Sequence, residues 1–142
     1  MTKKYIILIV ALGWFCSCSN SSSSDSSSDS LLGVWQWANT SGGIAGMTYT
    51  PSTEGFAAKM VVSASSNYGL YRNDTLVRSG IYTVDTVGEK DHFHLSQSGD
   101  SIFFKQLPHI VLTGAMQRSN DSLIIWNDSI SDGFSSLFIR KK

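Results

Sequence analysis

The domain that follows the N-terminal segment is predicted to be all-β, an eight- to nine-stranded antiparallel up-and-down barrel. Three observations lead there. From Leu31 to Lys142, short apolar runs rich in β-branched and aromatic residues recur at intervals of roughly ten residues. Gly, Asn, Asp and Ser separate these runs, and several separations have the chemistry of tight hairpins. No stretch sustains an amphipathic helical period beyond about two turns, and Asp132-Gly133 interrupts the one late candidate. So many consecutive hairpin-linked strands are most simply accommodated by closing the sheet, which removes its exposed edges.

The expected strands cover residues 33–39, 56–64, 67–73, 75–85, 90–97, 100–107, 109–117, 121–127 and 134–141. Asn73-Asp74, Ser98-Gly99-Asp100 and Ser119-Asn120-Asp121 are expected hairpin turns, because Gly, Asn and Asp tolerate the positive φ that such turns use. Residues 40–55 contain four glycines and one proline, a composition that argues against a regular strand. Sixteen residues is long for a connection, so a loop near the barrel opening is expected there. Gly42-Gly43-Ile44-Ala45-Gly46 is not a phosphate loop, since no Lys-Ser/Thr pair follows it and no helix is expected to start there.

Ahead of the domain lie two segments of different character. In residues 1–17, Lys3 and Lys4 precede the apolar run Tyr5 to Leu12 and a window of small residues, the pattern of an export signal. The apolar run is much shorter than the roughly twenty residues that cross a bilayer as a helix, so cleavage is expected rather than a retained span. Residues 18–30 begin with Cys18 and continue with nine serines, two aspartates and one asparagine. With no apolar surface to offset the entropy of ordering, that stretch reads as a flexible tether. Its root-mean-square span is on the order of 20 Å.

Both cysteines, Cys16 and Cys18, lie in this N-terminal part, so residues 31–142 can form no disulfide and the core alone must hold the fold. Without Lys3 and Lys4 the chain carries nine basic and eleven acidic side chains. That balance, with only Arg140-Lys141-Lys142 as a basic cluster, gives no surface for nucleic acid.

Candidate chemistry is sparse. His92 and His94, at alternate positions of one expected strand, point to the same face and are the metal candidates, with His109 as the remaining histidine. No carboxylate or cysteine completes an evident ligand set, and a solvent-facing pair opposite Phe93 and Leu95 accounts for the same residues. Gly-x-Ser-x-Gly is absent and the aspartates sit mostly at turn positions, so no catalytic group and no cofactor are expected.

Three resemblances add to this reading. Ser17-Cys18 after a short apolar core resembles the lipobox of bacterial lipoproteins. It implies acylation of Cys18 and attachment to the outer membrane, on its periplasmic or surface face. Simple secretion and acylation at Cys16 are the alternatives. Leu32-Gly33-Val34-Trp35 resembles the Gly-x-Trp opening of lipocalins and calycins, with Arg140 in the place of the basic residue that covers the tryptophan in those families. The resemblance implies a small lipocalin-like barrel with Gly33, Trp35 and Arg140 as its structural signature; a META-like or open β-sandwich fold is the competing architecture. Finally, Asp-Ser/Thr-aliphatic triplets such as Asp29-Ser30-Leu31 and Asp74-Thr75-Leu76 resemble the acceptor motif of a periplasmic O-glycosylation system in some Gram-negative bacteria. Ser30 and Thr75 are the favoured positions, although turn chemistry produces the same pattern.

Two functions follow from these expectations. One is a lipid-anchored binding module holding a small apolar or amphipathic ligand, with Trp37, Tyr82 and Phe104 as interior wall. The other is a structural or interaction module of the envelope whose barrel is filled and takes no ligand. Oligomeric state stays open.

Overall fold

A computed structural model describes residues 31–96 and 106–142. The chain forms β1 (Gly33–Gly42), β2 (Met47–Tyr49), α1 (Pro51–Glu54), β3 (Ala58–Ser63), β4 (Asn67–Arg72), β5 (Thr75–Val87), β6 (Lys90–Leu95), β7 (Gly114–Ser119), β8 (Ser122–Trp126) and β9 (Phe134–Arg140). Every pairing is antiparallel, and the sheet order is β2-β1-β3-β4-β5-β6-β7-β8-β9. An additional β1–β9 pairing, from Trp35↔Arg140 to Gly42↔Phe134, closes eight strands into an up-and-down barrel. The short β2 is an extra strand on its edge. The expected all-β barrel is the fold.

Two bulges decide which side chains enter the barrel. In β1 the pairing with β9 slips by one residue between Trp37 and Asn39, leaving Ala38 without a partner. An extra residue reverses the in-out alternation, so Trp35 and Trp37 point inward and Thr40, not Asn39, takes the next buried place. In β5 a second slip opposite Leu70-Tyr71 sets Val77 out of register. Leu76 therefore faces solvent while Arg78 stands opposite Leu70. β5 also changes partner midway: its residues up to Ile81 pair with β4, and Tyr82 to Val87 pair with β6.

The interior is packed with side chains. Trp35, Trp37, Met60, Leu70, Phe93, Leu123, Ile125 and Phe138 are buried in one continuous core. Trp37 stacks on Phe56 with ring centroids 5.6 Å apart, and Tyr82 packs against Phe93 at 5.4 Å.

The ends of several elements depart from expectation. Residues 40–55 are more regular than their glycines suggest. β1 continues to Gly42, and a turn with Gly46 N–H donating to the Gly43 carbonyl at 2.9 Å returns the chain through β2. The glycines stand at the turn, where φ is positive, and leave the paired residues free to be extended. The one-turn helix α1 follows, its Thr50 cap exchanging hydrogen bonds with Thr53.

The strand expected at 109–117 starts only at Gly114. His109 turns the chain with φ 64, after a proline that has no N–H to donate, and the apolar Ile110-Val111-Leu112 fills one end of the barrel without joining the sheet. Asn73 and Asp74 form the expected positive-φ hairpin turn. Asn120-Asp121 turns without positive φ, whereas Ser65 and Ser66 adopt it. The expected turn at 98–100 and most of the strand expected at 100–107 lie outside the described residues.

Candidate functional site

The barrel has two unlike ends. At the first, the N-terminal Leu32, the β7–β8 turn and the C-terminal Arg140 meet. The Arg140 guanidinium carbon lies 4.2 Å over the Trp35 ring, its Nε donates to the Asn120 carbonyl at 3.2 Å, and a terminal nitrogen donates to the Leu32 carbonyl. Gly33, at φ 137, leaves room for that guanidinium, since a Cβ there would stand 2.8 Å from it. The three signature residues are thus gathered at one place and seal this end.

The opposite end is crossed by residues 106–113, which are pinned to three different strands. Arg72 of β4 donates to the Gln106 carbonyl at 3.0 Å, Thr113 Oγ1 donates to the Phe93 carbonyl of β6 at 2.9 Å, and the Val111 N–H donates to Ser136 Oγ of β9 at 2.7 Å. Ser136 is fully buried and lies 2.6 Å from Thr40 Oγ1, which also accepts from the Trp37 indole N–H at 3.0 Å. The bulge at Ala38 brings Thr40 into this relay. Among the described residues no buried side-chain polar atom lacks a partner.

Replacing Ser136 by alanine leaves Thr40 and the Val111 N–H without their shared partner, an expected cost of about 1–3 kcal/mol. Hydrogen exchange at the Val111 amide should accelerate more than global destabilisation explains. Unchanged local protection would show that Ser136 does not hold the crossing segment.

Between this segment and the wall is a cavity of about 430 Å³. Leu95, Ile110, Val111, Leu112, Ile130 and Phe134 supply apolar surface; Tyr68, Arg78, Asn127 and Asp132 supply polar groups. The cavity lies beside the β5 changeover, where Arg78 Nε donates to Tyr68 Oη at 3.2 Å and Tyr68 Oη donates to the Ser96 carbonyl at 3.4 Å. On its other side His109 stacks flat on Tyr49, centroids 3.9 Å apart, with Glu54 4.0 Å from His109 Nε2. The β2–α1 excursion therefore packs against the cavity wall at its rim. Its volume falls in the range of small-molecule sites.

Trp37 and Tyr82 do not line this cavity; they fill the barrel body. Phe104 lies outside the described residues. The cavity walls come instead from Ile110-Val111-Leu112, expected as part of a strand over 109–117, and from the loop before β9, for which no wall role is expected from the sequence. A continuous apolar run with no alternation was the available signal, and it is compatible with either a strand or a packed irregular segment.

His92 and His94 share the outer face of β6, their rings 6.1 Å apart. Each meets a different carboxylate: His92 Nε2 is 3.5 Å from Asp128, and His94 Nε2 is 3.1 Å from Asp85. Among the described residues no group of three or more His, Cys, Asp or Glu is placed to hold a metal ion. Thr75 is exposed just after the β4–β5 turn. Beside it, Asp74 accepts a 2.6 Å hydrogen bond from Lys59, whose bond and charge together hold the carboxyl below the usual aspartate range. Cys16, Cys18 and Ser30 lie outside the described residues.

Comparison with known proteins returns no match among family models, curated proteins or solved structures.

Proposed function

We propose that this chain is a lipid-anchored, lipocalin-like binding module of the bacterial envelope that takes a small amphipathic molecule at the end opposite its Trp35–Arg140 closure. The observation that carries this reading is the 430 Å³ cavity, aliphatic over most of its wall with Arg78 and Tyr68 on one side. An apolar wall with a few placed polar groups suits a ligand with a hydrocarbon body and a polar head. Binding is the preferred reading because the cavity is mostly apolar, while the three imidazoles each stand beside a different carboxylate, Asp128, Asp85 and Glu54. Acylated Cys18 supplies the membrane attachment, and Ser30 and Thr75 are candidate O-glycosylation positions.

Native mass spectrometry of the protein purified from its own envelope should detect a copurifying small molecule. Val111→Phe, which adds volume to the cavity wall, should weaken binding of a fluorescent fatty-acid probe by about tenfold or more at unchanged stability. Absence of any copurifying molecule, together with equal probe binding by the variant, would sink this reading. The packed barrel body, filled by Trp35, Trp37, Phe93 and Phe138, would then favour the interaction module without ligand. Mass spectrometry of the mature N-terminus tests the anchor separately, and an unmodified N-terminus would count against it.

A further inference from the structure

The β1–β2 hairpin projects an apolar tip beside the cavity. Ile44 at the turn is 93% exposed, the adjoining Met47 is 49% exposed, and Ile130 of the β8–β9 loop is 58% exposed. Residues 40–53 contain no charged side chain. The tip is also fixed in place. β1 and β2 pair up to Gly42↔Met47, the turn is closed by the Gly43–Gly46 hydrogen bond, and Gly43 lies against the Phe134 ring so closely that a Cβ there would stand 3.0 Å from it. A single protruding aliphatic side chain on an uncharged hairpin is shaped to enter a soft apolar medium. A flat protein interface would ask for a broader surface.

We propose that this tip is a second membrane contact, in which Ile44 enters the interfacial region of the bilayer that holds the N-terminal lipid. The inference rests on the lipid-anchored reading above. The N-terminal chain enters the barrel at the opposite end, where Leu32 meets Arg140. Reaching the same bilayer therefore requires the tether to run the length of β1, about 30 Å for ten extended residues. The thirteen-residue path from Cys18 to Leu31 can extend to about 40 Å, which is sufficient. Alone, so small an apolar contact binds membranes weakly. The tether must stretch beyond its root-mean-square span, so it raises the tip's effective concentration by less than a matched linker would, and stable attachment characteristically combines two such signals. The same docking brings the cavity rim, with Ile130 and Phe134, to the membrane surface from which an amphipathic ligand could be taken.

The test uses the chain from Cys18 onward, in which Cys18 is the only cysteine, with a lipid coupled chemically to its thiol on vesicles of phosphatidylethanolamine and phosphatidylglycerol with brominated acyl chains. Chemical coupling makes the result independent of whether the natural chain is acylated. The fluorescence that Ile44→Trp adds over the parent chain should be quenched about twofold or more, while that added by Asn120→Trp, at the opposite end of the barrel, should be unaffected. An unquenched Ile44→Trp reporter would overturn the proposal and leave the tip to a protein surface. Equal quenching of both reporters would overturn it too, because the barrel would then meet the bilayer without a preferred end.

Discussion

Trp35→Ala should lower the stability of the domain by about 3–5 kcal/mol, as expected when a large aromatic side chain is removed from a closed core. The ring is fully buried, its indole N–H donates to the Leu31 carbonyl at 2.7 Å, and the Arg140 guanidinium covers its face. The substitution removes the apolar area, the indole hydrogen bond and a cation–π contact worth about 0.5–2 kcal/mol. Arg140 keeps its bonds to the Leu32 and Asn120 carbonyls, so the β7–β8 turn should stay in place while the centre of the closed end empties. Urea unfolding measures the total. Trp35→Phe, which retains most of the ring and loses the N–H donor, should recover more than half of it, or about 2 kcal/mol. A Trp35→Ala loss under about 1 kcal/mol would mean that this ring is not the keystone of the seal.

Gly114→Ala should cost about 2–4 kcal/mol, a large effect for a single added methyl. Gly114 opens β7 with φ 133, and a Cβ there would run into the Trp126 carbonyl on the neighbouring strand. Both partners are backbone held in a ladder, so neither can move aside as a side-chain tip could. Gly88, in the β5–β6 turn, is the control: φ is also positive, but nothing lies within 4 Å of a Cβ. Gly88→Ala should cost about 1 kcal/mol. Thermal unfolding of the two variants measures what φ 133 and the Trp126 carbonyl together add to the cost of an ordinary left-handed turn. Equal losses would show that neither adds to it.

The strands were legible because both signals that specify them are local. Phe93 and Leu95 alternate with His92 and His94 and put the apolar pair on the core side, and Asn73-Asp74 carries its own positive-φ preference. Closure was legible from the number of hairpin-linked strands, because a long open sheet has costly edges. The cavity was not. Its walls depend on Ile110-Val111-Leu112 leaving the sheet, and an unbroken apolar run has no period that distinguishes a strand from a packed crossing segment.

What the sequence by itself determined is the class of fold, the absence of cysteine from residues 31–142, and the uncharged character of residues 40–53. These follow from composition and short-range pattern. Only the tertiary structure decided that Thr40 and Ser136 are buried partners, that Arg78 faces inward while Leu76 faces solvent, and that the cavity lies at the end opposite Trp35. Each depends on register. One extra residue at Ala38, and another at Val77, reverses which side of the strand faces the core. A bulge of that kind is fixed by how two distant strands pair, and residues as far apart in the chain as Thr40 and Ser136 meet only once the barrel has closed.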